Sequence, residues 1–151
     1  MWAPTGGSSP IGCLGYAVCA GEIVDQSRAA DISFARVIVA NGSSGTHAGL
    51  AAGFAAMGDE PRIVKSFAVL QDADGARRKT HETANATIAL LNGDRPIPID
   101  EIDVDGTERG PGYGIPTPGM VEAVRLVATH EGLLLDPVYS GKAFAGMLAD
   151  M

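Results

Sequence analysis

A chain of 151 residues that is 46% hydrophobic and 19% charged is long enough to bury one domain-sized core. A formal charge of −7 argues against a general nucleic-acid surface, and the densest basic run, Arg77-Arg78-Lys79, reads as a solvated helix or loop face. No apolar stretch reaches bilayer-spanning length, the first ten residues lack the pattern of a secretory signal, and two cysteines, Cys13 and Cys19, suggest neither a disulfide framework nor a zinc site.

Thr5 to Ser9 reads as a turn, and Ser9 before Pro10 as a helix cap with proline in the first helical position. The helix that follows is expected to reach about Arg28. Its buried face is read from Ile11, Leu14, Ala17, Val18, Ile23 and Val24, with Gly12, Gly15 and Gly21 allowing another backbone to approach. Val37, Ile38 and Val39 centre a short apolar strand within Phe34–Ala40, the pattern of a parallel sheet covered on both faces. A helix from Thr46 to Met57, a break at Gly58-Asp59-Glu60-Pro61 and a strand near Arg62–Leu70 complete a crossover unit, which implies parallel pairing.

Asp72 to Leu91 is expected to be helical after an initial turn, and Asn92-Gly93-Asp94 ends it. The stretch from Arg95 to Pro118 holds one extended piece around Ile97–Val104 and then an ordered loop, Gly110–Pro116, with Tyr113 at its middle. Thr117 to Glu131 is a helix closed by Gly132, and Leu133-Leu134-Leu135 reads as a second short buried strand. Asp136–Gly141 then leads into a last helix through Lys142, Phe144, Met147 and Leu148. The expected fold class is α/β, three-layered around a mostly parallel open sheet.

The segment Asn41–Gly49, NGSSGTHAG, joins the first strand directly to its helix. Such a junction offers a concave set of backbone N–H groups above the positive end of a helix dipole, which suits an anion or phosphate. A purely structural strand-to-helix turn is the other reading. Gly42 and Gly45 supply the bends, and Ser43, Ser44 and Thr46 add hydroxyls. The segment matches neither GxGxxG nor GxxxxGK[ST]. His47 is read as a capping or surface residue, and no catalytic triad or metal site emerges from His47, His81 and His130. Tyr139 and Ser140 follow the second apolar run on the side where open sheets bind ligands. Either Tyr139 packs between helices, or the pair offers an aromatic platform or phenolic proton donor beside a neutral hydroxyl.

Four motifs occur in order: Gly6-Gly7-Ser8-Ser9-Pro10-Ile11-Gly12 with Leu14-Gly15-Tyr16, Gly42 through Leu50, Gly112-Tyr113-Gly114-Ile115-Pro116, and Asp136 through Lys142. With them the chain resembles the family of D-cysteine desulfhydrase, 1-aminocyclopropane-1-carboxylate deaminase and cysteate sulfo-lyase, within the tryptophan synthase beta-like superfamily of fold-type II enzymes. The resemblance implies pyridoxal 5'-phosphate as cofactor and a small amino acid as substrate. It places Gly42, Ser43, Ser44, Gly45 and Thr46 around the cofactor phosphate, Ser140 opposite the pyridine nitrogen, and Tyr113 and Tyr139 on the catalytic, substrate side. A neutral residue at position 140 matches desulfhydrase-like members, whereas deaminase-like members place a carboxylate there, so β-elimination of a sulfur group is the implied reaction.

Family members carry the Schiff-base lysine upstream of the segment that this chain matches, and Lys65, Lys79 and Lys142 do not correspond to it. The expectation is therefore a partial larger domain over residues 1–151, without the lysine-bearing segment, the small domain or the C-terminal segment, and with impaired chemistry when isolated. Association with a complementary chain or a second copy is expected to cover its sheet edges. The expected location is the cytoplasm, with neither membrane nor nucleic acid as partner.

Overall fold

The computed structural model describes residues 4–151. Helix α1 (Pro10–Ala29) starts where the Ser9 hydroxyl accepts the Gly12 N–H at 3.1 Å. Strand β1 (Val37–Asn41) leads into α2 (Gly45–Ala56), and strand β2 (Val64–Ala68) into α3 (Ala73–Leu90), whose first turn is capped by the Asp72 carboxylate. Strand β3 (Asp103–Asp105) is short. Helix α4 (Pro118–Glu131) is capped by Thr117, which accepts from the Met120 N–H, and ends at left-handed Gly132. Helix α5 (Ser140–Ala149) closes the chain. These starts and stops use local chemistry: a side-chain oxygen satisfies an orphan N–H, and glycine takes the positive φ.

The three strands pair in the order β1-β2-β3, all parallel, with Val37 opposite Val64 and Lys65 opposite Asp103. Side chains alternate along β2, so Val64, Ser66 and Ala68 face α1 to α3 while Phe67 faces α5. The result is the expected α/β arrangement in three layers: α1, α2 and α3, then the sheet, then α5 supported by α4. Small residues dominate the first interface. Ala48, Ala51, Ala52 and Ala68 pack with Cys13, Ile88, Ile97, Ile102 and Val104, all buried.

This closeness sets the orientation of α1. A Cβ at Gly49 would lie 2.4 Å from the Cys13 carbonyl oxygen, and one at Gly53 2.5 Å from that of Ala17. Only small side chains fit such an approach, so α1 turns Cys13, Ala17 and Ala20 inward. Ile11 and Val18, expected on the buried face, are 74% and 64% exposed instead. Of the α1 glycines, Gly12 faces the Gly7 carbonyl, whereas Gly15 has nothing within 4 Å and Gly21 meets only the Met57 sulfur at 3.9 Å.

Three further expectations change. Leu133-Leu134-Leu135 is an irregular connector with Leu134 90% exposed, because strand composition creates no strand without a ladder to join. Strand β1 lies at the sheet edge and is mostly half-buried, so coverage on both faces does not fully bury it. Arg77 donates to the carbonyls of Ile102 and Val104, which ties α3 to β3 and removes it from the solvated basic run. Among the described residues no helix is long and apolar enough to cross a membrane.

The contact of α5 with the sheet is equally close, since a Cβ at Gly146 would sit 2.2 Å from Phe67 Cε1. Gly146→Ala is expected to lower stability by about 1–3 kcal/mol through overpacking. Gly15→Ala, which meets open space, should be neutral or stabilising by up to about 1 kcal/mol. Urea unfolding of the two variants checks both values.

Candidate functional site

Three residues, Gly42, Ser43 and Ser44, turn the chain from β1 into α2. Ser44 takes φ +75°, a left-handed conformation uncommon outside glycine. The backbone N–H groups of Gly42, Ser43, Ser44, Gly45 and Thr46 donate to no group among the described residues. They therefore form a compact set of free donors over the positive end of the α2 dipole. The N-terminal turn presses on this loop: Ser8 Oγ donates to Ser43 Oγ at 2.7 Å, and a Cβ at Gly45 would lie 2.4 Å from Ser8 Oγ. Gly45 is small because Ser8 occupies the space above it.

The loop opens onto a trough of about 510 Å³ beside β1, lined by Ile38, Val39, Ala40, Thr46, Leu135, Tyr139, Ser140, Ala143, Phe144 and Met147. Tyr139 leans over the turn, with Cε1 3.0 Å from where a Gly42 Cβ would be. Its phenol oxygen lies 2.6 Å from that of Tyr113, the two rings meeting edge to face at 69°. That hydrogen bond raises the Tyr139 pKa above its ordinary value, aided by burial and by the charges of Tyr113 and Asp136. The fold thus brings together all the residues singled out from sequence, although Ser44 is turned inward and its hydroxyl is engaged by Asn41.

Asp136 builds the turn before α5. Its carboxylate accepts the N–H groups of Val138, Tyr139 and Ser140 and the Ser140 hydroxyl, the last at 2.5 Å. Burial pushes its pKa up, but these hydrogen bonds prevail and hold it at about 2. The Ser140 oxygen also accepts the Asp136 N–H at 2.8 Å. With its proton committed to the carboxylate, Ser140 meets a ligand as a hydrogen-bond acceptor. The Tyr113 loop has its own anchor in Lys142, which is fully buried and donates to the carbonyls of Arg109 at 2.7 Å and Gly112 at 3.4 Å. Burial and nearby Arg109 push the Lys142 pKa down, and Glu108 partly offsets them.

His47 is 1% exposed and lies 2.7 Å from Ser66 Oγ through Nδ1, which corrects the expected capping or surface role. The first turn of α2 lies over β2, so position 47 faces the sheet. Desolvation lowers its pKa from 6.5 to about 3. Asn41, Ser66 and Thr80 complete a buried polar group that the sequence reading did not single out. The available signal was one small polar residue inside each strand, Asn41 ending β1 and Ser66 in the middle of β2.

A family model described as "Pyridoxal-phosphate dependent enzyme" matches residues 1–151. The chain belongs to the pyridoxal-phosphate-dependent enzyme family. Within it, the chain is 41% identical over 145 residues to D-cysteine desulfhydrase of Serratia proteamaculans (strain 568), covering 96% of this chain and 43% of that protein. It is 37% identical over 143 residues to 1-aminocyclopropane-1-carboxylate deaminase of Burkholderia ambifaria, covering 92% of this chain and 41% of the relative. A solved structure of an ACC deaminase homologue superposes with a TM-score of 0.84 at 34% identity, over 97% of this chain and 43% of that one. The chain therefore spans less than half the length of these relatives. The N–H groups left without a partner among the described residues suit the phosphate of the family's cofactor, and the adjoining trough of about 510 Å³ has the volume for its ring.

Two outcomes test this description. Lys142→Met leaves the Arg109 and Gly112 carbonyls without their donor, and the expected cost is about 1–3 kcal/mol. Freed from its anchor, Tyr113 should part from Tyr139, and an ultraviolet tyrosine titration should show the raised phenol returning toward its ordinary value. The second outcome concerns pH. Above pH 6.5 His47 is neutral folded or unfolded, whereas between 6.5 and about 3 only the unfolded chain takes up the proton. Stability should therefore fall by about 2 kcal/mol from pH 7 to pH 5 on account of His47. Urea unfolding at the two pH values measures it, and His47→Gln should lack that component.

Proposed function

We propose that this chain supplies the phosphate-binding part of a pyridoxal 5'-phosphate site serving a carbon–sulfur lyase of the D-cysteine desulfhydrase kind, which converts D-cysteine and water to sulfide, pyruvate and ammonia. The observation that carries the reading is the turn from β1 to α2, whose five N–H groups have no partner among the described residues, beside the trough lined by Thr46, Tyr139 and Ser140. Bound pyridoxal phosphate supplies an electron sink for the substrate α-carbon.

The N–H groups of Gly42 through Thr46 bind the phosphate, and the α2 dipole favours its charge. Tyr113 and Tyr139 share one hydrogen between their phenol oxygens, so the accepting phenol keeps its own proton for the substrate side. That proton can be delivered from, or returned to, whichever of the two phenol oxygens accepts the shared hydrogen. Ser140 presents a neutral acceptor where a carboxylate would add charge, and this supports elimination over ring opening. The neighbouring readings are a cysteate sulfo-lyase and a 1-aminocyclopropane-1-carboxylate deaminase. No lysine lines the trough: Lys65 is bonded to Asp150, Lys79 is on the exposed side of α3, and Lys142 is bound to carbonyls. In this reading the amine that the chemistry requires comes from a complementary segment or chain.

A non-catalytic phosphate-binding or interaction role is the second reading, and the edge of β1, which pairs with no strand among the described residues, favours it beside an apolar trough. A complementary chain or a second copy would cover that edge. Calorimetric titration separates the readings. Pyridoxal phosphate is expected to bind at least about tenfold more tightly than pyridoxal, the difference that a charge-assisted phosphate contact supplies. Thr46→Asp should abolish that advantage; equal binding of the two compounds would exclude the cradle. Sulfide and pyruvate from D-cysteine support the lyase, whereas ammonia and 2-oxobutanoate from 1-aminocyclopropane-1-carboxylate support the deaminase. Phosphate-dependent binding without either reaction, also after a lysine-bearing segment of a relative is added, supports the non-catalytic role.

A further inference from the structure

Beneath the turn runs a chain of side-chain hydrogen bonds that ends on Ser44, a residue of the turn itself. The Ser44 hydroxyl donates to Asn41 Oδ1 at 3.1 Å, and the Asn41 amide donates to Ser66 Oγ at 3.0 Å and Thr80 Oγ1 at 3.1 Å. Ser66 Oγ lies 2.7 Å from His47 Nδ1. Asn41, Ser66, Thr80 and His47 are each no more than 1% exposed.

Counting protons orients the chain. Asn41 donates twice through nitrogen, so its oxygen faces Ser44. Ser66 accepts one of those protons and passes its own to His47 Nδ1, which places the histidine proton on Nε2. The opposite tautomer would leave both the Ser66 proton and the Nε2 lone pair unpartnered, one orphan more than the assigned arrangement. Every step from His47 therefore leads to the hydroxyl of Ser44, the non-glycine residue of the turn held at φ +75°.

We infer that Asn41, Ser66 and Thr80 are positioning residues that hold Ser44 left-handed and so aim the N–H groups of Ser44, Gly45 and Thr46 at a bound phosphate. The inference rests on the phosphate-cradle reading. It differs from a mere core role in predicting that the network acts through one backbone torsion. Alanine at position 44 keeps the N–H and the L-residue's cost of a positive φ but removes the hydroxyl, so it severs the same restraint as a change at Ser66.

Affinity for inorganic phosphate, measured by titration calorimetry, tests it on the unsubstituted chain, S66A, T80V, S44A and the double variant S44A/S66A. Ser66→Ala, Thr80→Val and Ser44→Ala are each expected to weaken phosphate binding about tenfold, the effect of losing roughly one buried hydrogen bond. The double variant S44A/S66A should be no weaker than either single one, because both break the same strut. Multiplied losses of about a hundredfold would show independent effects and overturn the inference, as would unchanged binding in S66A and T80V. A loss in S44A far beyond that in S66A would also overturn it. Where circular dichroism shows S66A unfolded, T80V and its combination with S44A carry the same comparison. No phosphate binding by the unsubstituted chain overturns the cradle reading and this inference together; binding that ignores the network overturns the inference alone.

Discussion

A left-handed serine governs the carboxyl end of β1. For an L-residue that conformation costs about 1–2 kcal/mol, and here a side-chain hydrogen bond to Asn41 offsets it from within the core. The same torsion bends the chain so that α2 begins at once and its first N–H groups remain free. Ser8 then rests above Gly45, Tyr139 above Gly42, and His47 below against β2. A turn relaxed to an ordinary φ would disturb all of these contacts, because each depends on where α2 starts.

The other wall of the site is held by charged groups in structural roles. Asp136 gathers three backbone N–H groups and one hydroxyl at the start of α5, while Lys142, in the first turn of the same helix, reaches two carbonyls of the Tyr113 loop. Both satisfy backbone or side-chain polarity that would otherwise be unmatched beside a close-packed helix. The trough therefore has rigid walls on two elements joined through Gly146 and Phe67, and its aromatic pair is fixed by groups that never face it.

Legibility in the sequence followed the range of the interaction. Ser9-Pro10, Asp72 and Thr117-Pro118 mark helix starts by contacts three residues long, so local reading suffices. The glycine-rich junction and the two tyrosine-bearing segments were legible as ordered motifs. The inward face of α1 was not, because the partner that selects Ala17 over Val18 is Gly53, distant in the chain. Leu133–Leu135 shows the same limit: three leucines specify apolarity, and only a neighbouring strand could make them a ladder. His47 gave no cue of its depth, since its burial is fixed by Ser66 across the layer.

The strand order has a consequence for how the chain folds. Strand β2 pairs with β1 and β3 with β2, each with the strand synthesised before it, and a helix intervenes in each connection. Sheet assembly can therefore follow the direction of translation, each new parallel strand meeting a template already made. It also waits on a helix each time, since parallel neighbours lack the short turn that lets a hairpin zip rapidly. Growth of this kind is sequential and slow, and the edge of β1 that takes β2 must stay open while α2 emerges.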